Sequence, residues 1–426
     1  MPLKPGSQRR ELSKMNTYLV GGAIRDRLLG LPVRERDWVV VNATPDAMRT
    51  LGFRPVGRDF PVFLHPDTGE EYALARTERK TAPGHTGFVF HTEPGVTLEQ
   101  DLQRRDLTIN AIAESAEGLL IDPCGGLRDL QDRVLRHVSD AFVEDPLRVL
   151  RVARFAAWLH PFGFQVAPET LALMTTIAAS GELEQLSAER IWRETQRALA
   201  SPSPRTYIEV LHACGALAVL LPEVAALFGV PQRADYHPEI DTGVHVLMAL
   251  DRAAEMGADS AVSFAVLMHD LGKAMTPADV LPRHIGHEAT GVPLVHGVCD
   301  RLRVPNPYRR LAVAVTRFHL QCHKIRELRP ITILKMLQEL DIYRRIETLE
   351  PFLMACEADA RGRGGGLHMQ PYESAAWLRG LVPRVLAVRA TPHVAAGLTG
   401  TALADALNRD RQAAIAAYRW ETAHAG

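Results

Sequence analysis

Cysteine is scarce in this 426-residue chain, and the few that occur are scattered. The five are Cys124, Cys214, Cys299, Cys322 and Cys356, an odd number without any CxxC spacing. This pattern excludes a disulfide framework and a zinc knuckle and fits a reducing, cytoplasmic compartment. The chain also lacks a run of about 18 apolar residues, so we expect no membrane-spanning helix.

Neither sign of charge is in excess, because 49 Lys and Arg residues oppose 50 Asp and Glu residues. A net charge of −1 gives no global attraction to nucleic acid, so any nucleic-acid surface must be a local patch. The composition, 46% hydrophobic, is that of a folded protein. The length of 426 residues suits two to four domains. The segment before Met15 has basic residues without an apolar run; we expect no signal peptide, and Met15 is an alternative start.

The first third of the chain is predicted to be α+β. A strand, a glycine pair and a helix are followed by the β-branched run 37–41, which predicts a second strand. Two further strands are expected to form a hairpin around Asp67–Gly69. Residues 77–97, rich in Gly, Pro and Thr, are predicted to be a loop. After about Asp140 the spacing of apolar residues predicts helices alone.

Two glycines stand between the first predicted strand and helix. Gly21 and Gly22 permit a phosphate to approach the backbone, and Arg25 adds a cation one turn later. Taken alone, the pair is equally typical of an ordinary tight turn. The carboxylates that follow favour a phosphate site.

Three carboxylates are candidates for a metal site. Glu35 and Asp37 stand two residues apart at the predicted start of the second strand, which would place both on one side of it. Glu71 begins a neighbouring strand and is a candidate third ligand. Hard oxygen ligands suit Mg²⁺, which in two-metal sites activates a hydroxyl group and neutralises a leaving phosphate.

Two groups of arginines follow. Arg104 and Arg105 precede an apolar segment that we interpret as a helix start, where a bound anion would explain two cations. Arg148, Arg151 and Arg154 recur at every third residue of a predicted helix. Such a stripe is also typical of a solvated helix face.

Histidines are concentrated in the second half of the chain, and the main ones are His245, His269, His284, His287, His319 and His323. Imidazoles with a carboxylate such as Asp270 are typical ligands of a transition metal. The alternative is a polar helical surface that faces RNA. Residues 301–319 contain five arginines and are either part of an RNA-binding patch or an exposed helix start. The Arg-Gly cluster 361–366 is interpreted as a short flexible break.

Four motifs in this order, LVGGAIRD, ERDWVVV, RRDLTINAIA and EDPLRVLRVARF, resemble the class II tRNA nucleotidyltransferases of the polymerase-beta-like superfamily. The later motifs HPEIDTGVH and MHDLGK are similar to the bacterial CCA-adding branch that carries an HD phosphohydrolase domain. The resemblance extends from about Asn16 over nearly the whole chain. It implies an enzyme that adds CCA to the 3′ end of tRNA from CTP and ATP.

The resemblance also implies roles for single residues. Glu35 and Asp37 would bind the catalytic Mg²⁺ ions, whereas Glu71 is a candidate third ligand from its position on the neighbouring strand alone. Five residues would bind the nucleotide: Gly22, Arg25, Arg105, Arg151 and Arg154. Asp145 and Arg148 would select the base, because cytosine and adenine both present an amine donor beside a ring-nitrogen acceptor. The family has Asp where this chain has Glu35, whose longer side chain we expect to affect the rate.

For the HD domain the resemblance implies His245, His269 and Asp270 as ligands of a divalent transition metal such as Ni²⁺. The implied substrates are phosphomonoesters or 2′,3′-cyclic phosphates. The final aspartate of the HD pattern is missing near His319, where Leu320 follows.

The predicted fold class is α+β, with a polymerase-beta-like head on a mixed sheet and helical domains behind it. The predicted domains are a head (1–139), a helical neck (140–225), an HD domain (226–345) and a helical tail (346–426). The partners would be tRNA, CTP and ATP, with no membrane, and the chain would be a monomer or a homodimer. Three alternatives remain: a bacterial poly(A) polymerase, a phosphohydrolase with an impaired transferase head, and a tRNA-binding scaffold without activity.

Overall fold

The computed structural model describes residues 16–56, 62–80, 88–91, 95–366 and 369–424. The proposed start at Met15 and parts of the predicted loop 77–97 lie outside the described residues. Contacts divide the chain into two compact units. Unit 1 runs to Ile191 and includes Glu209–Leu220; unit 2 contains Trp192–Ile208 and the chain from Leu221 onwards. The four finer domain boundaries stay predictions.

Unit 1 is built on a mixed sheet of seven strands in the order β3-β4-β5-β2-β1-β8-β9. The described strands are β1 (Asn16–Val20), β2 (Asp37–Val41), β3 (Arg54–Val56), β4 (Val62–Leu64), β5 (Glu71–Leu74), β6 (Thr77–Lys80), β7 (Phe88–His91), β8 (Ala113–Glu114), β9 (Leu120–Ile121), β10 (Val134–Leu135) and β11 (Gln165–Val166). In the seven-stranded sheet β2 and β5 run parallel, and all other neighbours are antiparallel. The predicted α+β head with a mixed sheet and the predicted β4–β5 hairpin are confirmed.

The start of β2 differs from the prediction. The strand begins at Asp37, and its last partner in β1 is Val20. Because the chain leaves the sheet at Gly21, no β1 residue remains to pair with Glu35. Glu35 therefore lies before the strand, and the prediction that the strand begins at Glu35 is wrong. The alternation of side chains along a strand does not apply to Glu35. Glu71 begins the neighbouring strand β5 as predicted and is the register partner of Asp37 in the parallel pair β2–β5, while its role as a metal ligand stays a prediction.

Two predictions about strands were incomplete. The backbone of the predicted loop 77–97 contains the antiparallel pair β6–β7, since the aromatic and β-branched run Phe88–His91 favours a strand. Beyond Asp140, where helices alone were predicted, β11 pairs in parallel with β10. Strands of two residues are too short to produce a visible alternation in the sequence.

Short helices connect the strands of unit 1 and longer ones follow: α1 (Gly22–Leu28), α2 (Pro45–Thr50), α3 (Leu98–Gln103), α4 (Gly126–Asp132), α5 (Leu147–Leu159), α6 (Pro168–Ala179), α7 (Ala188–Leu199), α8 (Pro204–Ala213) and α9 (Ala216–Leu220). The division between the units falls inside α7 and α8. A capping box of Thr97 and Gln100 begins α3. Because α3 ends at Gln103, Arg104 and Arg105 follow a helix end. The apolar segment after them forms only the three-residue 3₁₀ helix Thr108–Asn110 instead of the longer helix that was predicted.

Unit 2 is helical throughout its described residues, and the remaining helices are α10 (Pro222–Ala225), α11 (Thr242–Glu255), α12 (Ser260–Met268), α13 (His287–Arg301), α14 (Asn306–His323), α15 (Pro330–Glu339), α16 (Leu349–Arg361), α17 (Glu373–Leu386), α18 (Thr391–Ala395) and α19 (Gly400–Ala423). Asp241 and Asp259 cap α11 and α12 through hydrogen bonds from backbone N–H groups. The apolar helix α12 is buried from Val262 to Met268, which places its C-terminal end in the core of the unit. Within the described part of the chain, no helix combines the length and apolar character needed to cross a bilayer.

Candidate nucleotide site and candidate metal centre

The glycine turn of unit 1 is closely approached by an arginine. Gly21 has φ 73°, a conformation that favours glycine. A Cβ atom at Gly21 would lie 3.1 Å from Nη1 of Arg105, so the turn gives the guanidinium group access to the backbone. Helix α1 has seven residues. The phosphate site predicted here therefore depends on arginines rather than on a long helix dipole.

Three further arginines surround one aromatic ring in α5. The guanidinium carbons of Arg25, Arg151 and Arg154 lie 5.1, 5.7 and 4.2 Å from the ring centroid of Phe155. None of the three is fully exposed, so the predicted stripe on α5 is not an ordinary solvated face. Like charges held around one ring repel each other, and a polyanion between them would relieve that repulsion.

Hydrogen bonds connect this arginine group to the residues after α3. Arg25 donates from Nη1 to Oδ1 of Asn110 at 2.8 Å, and Arg105 donates from Nη1 to the Asn110 carbonyl oxygen at 3.4 Å. Arg105 also pairs with the buried Asp101 at 3.2 Å. Burial alone would raise the pKa of Asp101, but the cations of Arg105 and Arg104 hold it below its ordinary value. The arginines are thus oriented by buried acceptors.

Arg151 is oriented in the same way by Asp106. Its Nε donates to Oδ2 of Asp106 at 2.7 Å, while Oδ1 accepts from the backbone N–H of Leu107 at 2.8 Å. Asp106 is buried, which would raise the pKa of its carboxyl group. The Arg151 cation and these hydrogen bonds reverse that effect and hold the pKa well below its ordinary value.

The predicted carboxylates lie at the edge of this group. Asp37 stands at the exposed end of β2, yet the protein atoms packed around its carboxylate raise its pKa. Arg105 and Arg151 oppose that shift and Glu35 adds to it, so all three lie within electrostatic range of Asp37. Among the described residues of unit 1, no three His, Cys, Asp or Glu side chains bring ligand atoms within 4.8 Å of one another. Glu35, Asp37 and Glu71 are neighbours without forming a closed set of ligands.

The residues predicted to select the base are both engaged with the protein. Arg148 is buried and donates to the carbonyl oxygens of Ala141 at 2.8 Å and Arg104 at 2.6 Å. Asp145 accepts from the backbone N–H of Leu147 at 3.0 Å and from Arg190 at 3.3 Å. Their predicted role in base selection stays a prediction.

In unit 2 the predicted metal ligands lie together in the core. Oδ1 of Asp359 lies 3.1 Å from Nε2 of His245 and 3.6 Å from Nε2 of His269. Oδ2 of Asp270 lies 3.1 Å from the same nitrogen of His269 and 3.8 Å from that of His245. All four residues are buried. The predicted set of His245, His269 and Asp270 is therefore brought together, with Asp359 as a fourth member.

Two more histidines continue the cluster on the other side of Asp270. Oδ1 of Asp270 lies 3.3 Å from Nε2 of His287 and 3.7 Å from Nε2 of His319, and these two nitrogens are 3.3 Å apart. Asp270, His287 and His319 thus form one group of three possible ligands, which adjoins the group His245–His269–Asp359. His245 also belongs to a third group, with His237 and Glu239. His319 was predicted to belong to the histidine-rich part of the chain. Its own imidazole ring lies in the cluster, whereas no aspartate follows it in the sequence.

The other ring nitrogens of these histidines are held by the backbone. Each Nδ1 lies between 2.7 and 3.2 Å from a carbonyl oxygen. The carbonyl groups belong to Gly362, Val266, His284 and Val315. A neutral imidazole that donates from Nδ1 leaves Nε2 as an acceptor, which is the arrangement of a metal-binding histidine. Four such nitrogens and two carboxylates therefore converge.

The two carboxylates of the cluster favour positive charge at the histidines. Burial would lower the pKa of His269, but Asp270 and Asp359 outweigh it and raise the pKa to about 10. A metal ion would supply the charge that this proton supplies. Among the described residues, Nε2 of His269 and Oδ1 of Asp270 have no partner in hydrogen-bond geometry although both are buried. Lys273 forms an ion pair with Oδ2 of Asp270 at 2.7 Å.

Sequence reasoning missed Asp359, and the expectation that the cluster lacks its last aspartate because of Leu320 is corrected here. Asp359 lies on α16, 114 residues after His245 in the chain. Nothing in its local sequence distinguishes it from a surface acid, and only its burial identifies it. It also lies beyond the predicted domain end at residue 345, which would separate it from the histidines that it contacts.

The arginine-rich segment 301–319 is largely paired with acids. Arg301 contacts Glu223 at 2.6 Å and Arg309 contacts Asp300 at 2.5 Å; Arg317 pairs with Glu339. These contacts weaken its interpretation as an RNA-binding patch.

The chain is similar to proteins of one named group. A family model described as Poly A polymerase head domain matches residues 17–136, and one described as Probable RNA and SrmB-binding site of polymerase A matches residues 163–228. The Multifunctional CCA protein of Thioalkalivibrio sulfidiphilus is 61% identical over 94% of this chain and 98% of its own length. That of Pseudomonas aeruginosa is 57% identical over 96% of this chain and 99% of its own length.

Two solved structures share the fold. The Bacillus stearothermophilus CCA-adding enzyme in complex with CTP is 22% identical with a TM-score of 0.65, covering 98% of this chain and 97% of its own. The Thermotoga maritima CCA-adding enzyme complexed with tRNA is 18% identical with a TM-score of 0.62, covering 96% and 92%. With the identity to the curated relatives, the chain belongs to the family of the multifunctional CCA proteins.

Proposed function

We propose that this chain adds CCA to the 3′ end of tRNA. The tRNA 3′-hydroxyl attacks the α-phosphate of CTP twice and then that of ATP, and each step releases pyrophosphate. The names of the relatives support this function, and so do the folds of the CCA-adding enzymes. The observation that carries it is the convergence of Arg25, Arg105 and Arg151 with Asp37 beside the Gly21 turn.

In this mechanism the arginines bind the triphosphate and the carboxylates hold Mg²⁺. Burial is the larger cause of the raised pKa of Asp37, and the negative charge of Glu35 raises it further. Such repulsion is expected between two carboxylates that share a cation. Together with Glu71, the register partner of Asp37, they supply the hard oxygen atoms that Mg²⁺ prefers. When bound, Mg²⁺ would activate the hydroxyl group and neutralise charge on the leaving phosphate. The guanidinium groups of Arg105 and Arg151 would fix the phosphates for in-line attack.

Base selection is proposed for Asp145 and Arg148. A carboxylate that accepts from an exocyclic amine and a guanidinium group that donates to a ring nitrogen would admit cytosine and adenine and reject uracil and guanine. Asp145 is joined to Arg190 at 3.3 Å, a contact long enough to be exchanged for a base. Arg148 would have to release one of its two carbonyl acceptors.

Incorporation of labelled CTP into tRNA without its 3′ CCA tests the assignment. We expect Asp37→Asn to abolish incorporation. His269→Ala, in unit 2, should leave it within about twofold, because substitutions at sites that share no partners act independently. CTP binding by Asp37→Asn, measured in parallel, distinguishes loss of chemistry from loss of fold. Wild-type incorporation by Asp37→Asn would contradict the proposed site.

A second activity is proposed for unit 2, namely metal-dependent hydrolysis of phosphate esters. The observation that favours it is the cluster of four inward-facing imidazoles and two buried carboxylates, whose unpaired atoms fit a divalent transition metal such as Ni²⁺. The metal would polarise the phosphate and lower the pKa of a water molecule. His245, His269, Asp270 and Asp359 would hold it, and Lys273 would keep Asp270 ionised.

Hydrolysis of a 2′-phosphomonoester and of a 2′,3′-cyclic phosphate by the metal-loaded protein tests this activity. Chelation should abolish it, added Ni²⁺ should restore it, and Asp270→Asn should not respond to the metal. Equal hydrolysis by Asp270→Asn would place the activity elsewhere. The same preparation must still incorporate CTP, which shows that the protein is folded. A poly(A) polymerase, the alternative that shares the head family model, would instead extend RNA with many A residues.

A further inference from the structure

A pocket borders the metal cluster on the side of α16. Its volume is about 190 Å³, and its lining includes His323, Arg361, Arg363 and Tyr372. His323 joins it to the cluster, because Nε2 of His323 donates to Oδ2 of Asp359 at 2.7 Å. Nδ1 of the same ring lies 2.9 Å from the hydroxyl oxygen of Tyr372. A molecule in this pocket would therefore lie against the proposed metal site.

The segment that carries Arg363 is fixed on both sides to residues of the cluster. The Gly362 carbonyl oxygen lies 3.2 Å from Nδ1 of His245. The Gly364 N–H donates to Oε2 of Glu239 at 3.0 Å, and Oε1 of Glu239 lies 3.0 Å from the same nitrogen of His245. Gly362 packs closely, since a Cβ atom there would lie 2.6 Å from Cα of Ala249. The Arg-Gly segment 361–366 was interpreted from the sequence as a flexible break, but its backbone is held in place as far as Gly364. The backbone at Arg363 cannot move away from the metal site without breaking these contacts.

Arg363 differs from its neighbour Arg361 in how its charge is compensated. Arg361 donates to Oε1 of Glu357 at 3.2 Å. In the described residues, the buried Nε of Arg363 has no acceptor. The Nε atoms of Arg105, Arg309 and Arg411 share this condition, so the lack of an acceptor alone does not identify a site. Arg363 is distinguished by its position in a pocket beside the proposed metal centre, where a ligand would supply the acceptor.

We propose that Arg363 binds the phosphate group of substrates at the metal centre and makes that centre prefer phosphomonoesters over cyclic diesters. The proposal rests on the phosphohydrolase activity proposed above. A guanidinium group donates two parallel hydrogen bonds to a phosphate, with a geometry that a lysine cannot reproduce. A phosphomonoester carries nearly two negative charges at neutral pH, whereas a cyclic diester carries one, so an additional cation stabilises the monoester more.

Binding of inorganic phosphate to the Ni²⁺-loaded full-length chain, measured by calorimetry, tests the proposal without relying on turnover. Charge-assisted hydrogen bonds of this kind correspond to roughly 10- to 100-fold in affinity. We expect Arg363→Gln to weaken phosphate binding by that factor, Arg363→Lys to recover it only partly, and Arg361→Gln, the matched control in the same pocket, to bind as the wild type does. The affinity for Ni²⁺ alone should be the same in all four proteins.

Kinetics provide the second measurement. Arg363→Gln should raise KM for adenosine 2′-monophosphate far more than KM for adenosine 2′,3′-cyclic phosphate. Unchanged phosphate affinity in Arg363→Gln, or equal loss in Arg361→Gln, would overturn the role of Arg363 while leaving the phosphohydrolase intact. A loss of Ni²⁺ binding in Arg363→Gln would also overturn it, since the residue would then act on the metal site. If the wild type binds neither Ni²⁺ nor phosphate, the proposed function fails together with the inference.

Discussion

Replacing Arg151 by Gln separates the structural from the nucleotide-binding role of this arginine. Arg151 contacts the buried Asp106 through two nitrogens, Nε at 2.7 Å and Nη2 at 2.6 Å. Asp106 is 6% exposed and the Arg151 side chain 36%. The substitution leaves a buried carboxylate without its cation, which typically destabilises a protein by 3–5 kcal/mol. Because water reaches the arginine side of the pair, we expect the lower end, about 3 kcal/mol.

The pH dependence of the loss follows from the pKa of Asp106. In the wild type this pKa is held below its unfolded value, so the contribution of the pair is present above pH ~4 and is lost as pH falls further. In Arg151→Gln the main opposing charge is gone, and burial raises the pKa of Asp106 above its unfolded value. The deficit of the variant should therefore be largest at neutral pH and shrink as pH falls toward 4.

Thermal unfolding at pH 7.5 and at pH 4.5, with CTP affinity measured in parallel, is the assay. About 3 kcal/mol corresponds to a decrease of roughly 6–12 °C in Tm for a unit of 150–250 residues. The double variant Asp106→Asn with Arg151→Gln should regain most of that stability and still bind CTP weakly. Full recovery of CTP affinity in the double variant would refute a direct contact of Arg151 with the nucleotide. A deficit in Arg151→Gln that does not change with pH would refute the charge argument.

Three further substitutions have expected outcomes. Glu35→Asp restores the family residue at the Mg²⁺ site, and single-turnover incorporation of CTP should become faster; a slower rate would contradict the view that the longer side chain impairs the site. Asp359→Asn should weaken Ni²⁺ binding at least 10- to 100-fold in a competition titration with a chelator, and an unchanged affinity would remove Asp359 from the ligands. Gly362→Ala brings a Cβ atom within 2.6 Å of Cα of Ala249 and should destabilise unit 2 by about 1–3 kcal/mol in thermal unfolding. The control is Gly297→Ala in α13, whose Cβ atom would meet no neighbouring atom and which should not destabilise the protein.

The fold of the head could be predicted because its patterns are local. The β-branched run of β2 and the turn at Gly69 are visible over a few residues, and both are confirmed. Where a strand begins or ends depends on the neighbouring strand with which it pairs, and not only on its own sequence. Glu35 lies outside β2 because β1 stops at Val20, and no property of Glu35 itself indicates this.

The candidate sites were predictable only where a motif brings the residues together. His269 and Asp270 are adjacent in the chain, and the end of a buried helix identifies them. Asp359 and Arg363 enter the same region from α16 and the segment after it, more than 85 residues later in the chain. Their placement depends on how the helices of unit 2 pack, which amphipathic spacing alone does not determine. The same limit explains why the sequence did not predict that Arg148 donates hydrogen bonds to two backbone carbonyl groups.

The most direct measurement is the product pattern from tRNA that lacks its 3′ CCA, incubated with the wild-type chain, Mg²⁺, CTP and ATP and resolved at single-nucleotide length. The proposed function predicts addition of C, C and A in that order and then arrest, with addition stopping after two C residues when ATP is omitted. A long run of A would contradict it and favour a poly(A) polymerase. No addition by the wild type, with recovery in Glu35→Asp, would show that the transferase head is impaired.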